Sequence, residues 1–129
     1  MGELRKAIWV KSPDQIGMLE KVTAAIASKG VNIQAIVAYE QDEEAIFDLI
    51  LSDNEKAKEA IMELGFYLEE RERVLIELED EAGKLKNISS EIAQAGINLN
   101  YIYGTVAADT GKALLIIDSS DNHKLAEII

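Results

Sequence analysis

Two short segments carry polar groups at spacings suited to holding a small zwitterion, and each occurs twice. The first is an acidic residue followed three positions later by glycine: Asp14-Gln15-Ile16-Gly17-Met18-Leu19 and Asp80-Glu81-Ala82-Gly83-Lys84-Leu85. A glycine that opens a helix lets a ligand approach the backbone, where free N–H groups and the helix dipole favour a carboxylate. The second is Gly30-Val31-Asn32-Ile33, echoed by Gly96-Ile97-Asn98-Leu99. An asparagine amide presents a donor and an acceptor together, which suits an ammonium beside a carboxylate. Each segment also has a plainer reading: tight-turn glycines, Asp14 and Asp80 as helix caps, and asparagines that satisfy their own turns.

Other chemistries lack their groups. His123 is the only histidine, set in a helix's opening turn, and one imidazole supplies neither a triad nor a zinc site. Cysteine is absent, which excludes disulfides and thiolate metal centres. Asp42-Glu43-Glu44 reads as a solvated hairpin tip without calcium-ligand spacing, and Ser89-Ser90 have no base near them in sequence. No nucleotide-cradling glycine motif occurs. A net charge of −11, from 24 acidic and 13 basic residues, repels nucleic acid and anionic membranes. No segment approaches the roughly 20 apolar residues that span a bilayer, and no run of signal length opens the chain. These features predict a cytoplasmic protein without cofactor or metal, and not an enzyme.

The elements that must position the two segments follow from hydrophobic spacing. Leu4–Lys11 reads as a strand that Ser12-Pro13 breaks. Leu19, Val22, Thr23 and Ile26 recur at helical spacing, predicting a helix over Ile16–Lys29 that ends where Gly30 supplies a left-handed cap. Strands over Val31–Glu40 and Ala45–Leu51 flank a hairpin at Gln41–Glu44, with Phe47, Leu49 and Leu51 on one face. Ser52 or Asp53 caps a second helix through Leu64, and Phe66–Arg71 forms a fourth strand. The charged run Glu69-Glu70-Arg71-Glu72-Arg73 reads as a solvent-facing junction whose pairs are weak.

Self-similarity then restarts the pattern at Val74. Gly17 and Asn32 recur 66 positions on, at Gly83 and Asn98, and Ser52-Asp53-Asn54 recurs 68 positions on, at Ser120-Asp121-Asn122. The order βαββαβ folds most simply as an antiparallel sheet, order 4-1-3-2, with both helices on one face. The expectation is therefore two ferredoxin-like α+β modules, residues 1–72 and 73–129. Ile129 aligns with Ile61, so the second copy has no counterpart of Phe66–Arg71. Strand Val74–Leu78 would then be an apolar sheet edge, covered by a partner subunit or by another part of the chain.

The order of strand, acidic-x-x-Gly-x-Leu corner, apolar helix and Gly-[Ile/Val]-Asn-[Ile/Leu] resembles the ACT domain over almost the whole chain. The resemblance implies a regulatory module without a catalytic domain that binds a small effector, such as an amino acid. By the same resemblance the ligand residues are Asp14, Ile16, Gly17, Met18, Leu19, Asn32 and Ile33, with Asp80, Ala82, Gly83, Lys84, Leu85, Asn98 and Leu99 in the second copy. It also implies a homodimer or higher homo-oligomer, and an enzyme of amino-acid metabolism as partner. The alternative is a ligand-free interaction module that recruits such an enzyme.

Overall fold

The computed structural model describes residues 2–107 and 110–129, with 106 and 107 described by backbone alone. The elements run β1 (Glu3–Pro13), α1 (Met18–Ser28), β2 (Ile33–Gln41), β3 (Glu44–Leu51), α2 (Asn54–Glu63), β4 (Tyr67–Glu79), α3 (Lys84–Gln94), β5 (Leu99–Ala107), β6 (Lys112–Ser119) and α4 (Asn122–Ile128). They form two compact units. One is Lys6–Arg71; the other is Glu72–Ile129 together with the N-terminal residues through Arg5.

In the unit Lys6–Arg71 the strands hydrogen-bond in the order β2-β3-β1-β4. Helix α1 buries Met18, Val22 and Ile26, and α2 buries Ala57 and Ile61, against Ile8, Val10, Phe47 and Leu49 of the sheet. Both helices therefore cover one sheet face, as the βαββαβ order requires. Gly30 takes φ 73° just past α1 and donates its N–H to the Ala27 carbonyl at 2.9 Å, the left-handed cap expected from the sequence. Asp53 caps α2 by accepting from the Lys56 N–H at 3.2 Å. Such a cap stabilises by about 1 kcal/mol. Asp42 and Glu43 turn the β2–β3 hairpin with φ of 52° and 67°, and the Glu40 carboxylate steadies it by accepting from the Glu43 N–H.

The unit ending at Ile129 repeats the plan. Its strand order is β1-β4-β6-β5. Ile88 and Ile92 of α3 and Leu125 of α4 pack on Val74, Ile76 and Ile117. Asp121 caps α4 as Asp53 caps α2. Beside β4, where a last strand of the second copy would lie, stand the opening residues of β1. Leu4 packs against this unit's core, and Gly2 donates its N–H to the Ile129 carbonyl. The opening residues of β1 thus lie against the start of the edge anticipated at Val74–Leu78, with Gly2 beside Val74. A Cβ on Gly2 would come within 3.0 Å of Val74 and 3.1 Å of Ile129, so glycine permits this close approach.

Three expectations need correction. β1 continues through Pro13, which pairs with Glu44 as the last residue of the strand, where the ladder needs no further N–H. The strands Phe66–Arg71 and Val74–Leu78 are one strand, β4, running through the charged junction. The junction arginines are not weakly paired. Arg71 lies 3.9 Å above the Trp9 ring centre and binds Glu69, while Arg73 is 4% exposed and pairs with Asp118 at 3.2 Å. Cations over aromatic faces gain more when desolvated, which lets these side chains line a sheet instead of interrupting it.

Carboxylates of the junction give the unit Lys6–Arg71 a pH dependence. The Arg71 guanidinium holds Glu69 below its usual value, and the Lys58 ammonium, 2.5 Å away, does the same for Glu70 with help from the Asn54 amide. Because the folded state lowers both values, their contribution is present above the unfolded carboxylate value of about 4.3 and is lost as pH falls through the folded values. Trp9 is the only tryptophan and reports unfolding. In urea titrations followed by its fluorescence, the stability gap between the parent and E69Q/E70Q is expected to close below about pH 4. A gap of equal size at pH 6 and pH 3 contradicts this reading.

Candidate functional site: the strand–helix corner

In the unit Lys6–Arg71 the chain leaves β1 at Pro13 and turns through Asp14, Gln15 and Ile16 into the helix cap Gly17, at φ 89°. Gly83 repeats this conformation at φ 90°. A Cβ at either position would meet nothing within 4 Å, so the left-handed backbone explains both glycines without a close approach. The Met18 N–H donates to the Gln15 carbonyl at 3.3 Å, matched by Lys84 to Glu81 at 3.2 Å. Neither helix has a side-chain cap. Asp14 is exposed, and its carboxylate makes no hydrogen bond or ion pair with a described residue.

An open groove of about 320 Å³ lies beside this corner. Its floor is the buried side of Met18, Ala45 and Phe47, and its rim is Asp14, Leu19, Tyr39 and Glu40. Antiparallel pairing supplies the second wall, since Ala38 sits opposite Phe47 and Glu40 opposite Ala45. The volume stands at the small end of the roughly 300–1,000 Å³ range of ligand sites, about right for one amino acid. No lysine, arginine or histidine lines it among the described residues.

The second corner has the same backbone and different contents. Lys84 replaces Met18, and with Lys112 it faces Glu77 and Glu79 around a cavity of about 290 Å³. Gly104 replaces Ala38, opposite Leu115, whose Cδ2 lies 2.5 Å from where a Cβ on Gly104 would stand. Leu115, which stands where the first copy has Phe47, thus reaches the spot that the Ala38 side chain takes there.

Asn32 and Asn98 are not beside these corners within their own units. Asn32 stands past the far end of α1, whose 11 residues span roughly 16 Å. Its N–H donates to Ser52 Oγ at 2.9 Å and its carbonyl accepts from the Ser52 N–H, a pairing that Asn98 and Ser120 repeat. The two amide side chains are exposed and bond no described residue, so they do not close their own turns. Ile33 and Leu99 pack against the cores of their units. Ile16 is fully exposed, Ala82 is exposed, and Leu19 and Leu85 are about half-exposed. The sequence reading missed Ala38, Tyr39, Glu40 and Phe47, which only the hairpin register brings to the corner.

Among the described residues no three metal-binding side chains converge, and no helix is long and apolar enough to cross a membrane. His123 meets Glu72 at 3.0 Å on the surface.

The same architecture occurs in solved structures. A protein from Bacteroides thetaiotaomicron superposes with a TM-score of 0.89 at 23% identity, over 98% of this chain and 87% of its own. The ligand-free regulatory subunit of aspartate kinase from Thermus thermophilus gives 0.66 at 18% identity, over 98% and 93%. The corresponding subunit from Thermus flavus gives 0.62 at 22%, over 98% and 90%. At these identities the likeness concerns the fold. A comparison with curated proteins finds no match. The family model of the ACT domain pair, however, matches residues 4–129, taking in both corners and both Gly-x-Asn segments, and the chain therefore belongs to the ACT domain pair family.

Proposed function

We propose that the protein is a non-catalytic regulatory module that binds an amino acid at its strand–helix corner and responds by changing its assembly or its contacts with a partner enzyme. The groove carries this reading: an apolar floor beside a solvent-facing Asp14, at a corner that both copies build with the same backbone. Asp14, Gly17, Met18 and Leu19 form the first candidate site; Asp80, Gly83, Lys84 and Leu85 form the second. Because α1 and α3 separate Asn32 and Asn98 from their own corners, Asn32 or Asn98 serves a ligand held by a second copy of the chain, which makes the working form a homodimer or larger. A ligand shared in this way stabilises one assembly by its differential affinity for it. The regulatory subunits of aspartate kinase offer an analogy for association with an enzyme.

At 100 times its Kd a ligand adds about 2.7 kcal/mol of stability, so at least one of the twenty amino acids is expected to raise the melting temperature clearly. N32A/N98A is expected to abolish the shift; an unaltered shift removes the asparagines from the site. One observation favours a ligand-free interaction module instead. Leu19 and Leu85, and likewise Ile36 and Ile102, are apolar and exposed at matched positions of the two copies. On that reading no amino acid shifts the melting temperature, and an enzyme partner is captured regardless of ligand.

A further inference from the structure

The geometry points to a division between the two corners: the first selects an amino acid with an uncharged apolar side chain and rejects the dicarboxylic ones, while the second does not hold that ligand. This rests on the effector-binding reading above and adds the ligand's chemical class and its place. In the first groove the only charged lining groups among the described residues are the carboxylates of Asp14 and Glu40, and the floor is Met18, Ala45 and Phe47. Glu40 is already engaged by the Glu43 N–H at 2.8 Å, whereas Asp14 bonds no described residue and is placed to receive an ammonium. An aliphatic side chain on the floor removes apolar surface from water. A second carboxylate would be desolvated among like charges with no cation to meet it, which disfavours aspartate and glutamate.

The second corner lacks both features. Lys84 brings a charge where Met18 gives apolar floor, and Leu115 occupies the space over Gly104. Among Lys84, Lys112, Glu77 and Glu79 an aliphatic side chain finds no apolar bed.

Calorimetric titration of the full chain with L-leucine, L-methionine, L-aspartate and L-glutamate tests this directly. The apolar pair is expected to bind at least about tenfold more tightly than the acidic pair, the ratio expected for one uncompensated charge. Ala38 is exposed on an outer strand, so A38L fills the groove without burdening the core and is expected to lower leucine affinity at least about tenfold. D14N is expected to cost a similar factor through its lost charge-assisted hydrogen bond. Backbone NMR shifts on leucine addition should centre on Ala38 and Phe47 and spare Gly104 and Leu115. Preference for aspartate or glutamate, undiminished binding by A38L, or shifts centred on Gly104 would each overturn this inference and leave effector binding standing. Absence of binding by any of the twenty amino acids would overturn both.

Discussion

A chain shortened to begin at Lys6 is expected to lose the folded structure of Glu72–Ile129 while Lys6–Arg71 stays folded. The deletion removes Leu4 from the second core and leaves β4 without the neighbour that Glu3–Arg5 supply. A module of roughly 60 residues buries only about 60% of its unfolded surface and has little stability to spare. Unpaired β4 edge groups should in addition promote association between chains. Hydrogen exchange resolved by residue provides the check. Protection should collapse across β5, β6, α3 and α4 and persist in α1, β3 and α2. Uniform loss in both units, or no loss in either, contradicts the assignment of residues 2–5 to the second unit.

R73A should cost about 3 kcal/mol, at the low end of the roughly 3–5 kcal/mol seen when one member of a buried pair is removed. The low end applies because Asp118 is partly solvated and keeps two other donors, the Nδ2 groups of Asn100 and Asn122. Arg73 also stands 5.3 Å from the Tyr101 ring centre, a contact that alanine forfeits. Against a total stability of about 5–15 kcal/mol this loss is large. Urea unfolding of R73A, D118N and the double variant checks the origin of the effect. Strong coupling within that cycle is expected; additive losses would show that Arg73 stabilises independently of Asp118.

Local chemistry was legible in the sequence, and distant pairing was not. Gly30 and Gly96 mark helix ends because few other residues adopt φ of 73° and 72°. Asp53 and Asp121 mark helix starts because a carboxylate three residues before an amide can accept from it. The corner was readable for the same reason, since Gly17 and Gly83 need the left-handed region. Nothing near Glu3–Arg5 indicates that they complete a unit starting at Glu72. Arg73 looked solvated because its partner Asp118 is remote in sequence. The groove was half visible: the corner residues are contiguous, but Ala38 and Phe47 reach it only through the hairpin register. The asparagines were found by repetition, while their separation from the corners follows from the lengths of α1 and α3.

The closure of the second unit by Gly2–Arg5 also sets an order of events at the ribosome. Domains generally fold as units during synthesis, N-terminal first, and Lys6–Arg71 holds all four strands and both helices that its core needs. The residues that seal the later unit are translated ahead of both cores and wait until Ile129 has emerged before the Gly2 amide can find it. During that interval the nascent chain presents an open strand, Glu3–Arg5, whose Arg5 is basic and whose Glu3 is acidic. Charges on waiting strands discourage pairing with strangers. Residues made ahead of Lys6–Arg71 are used only after it.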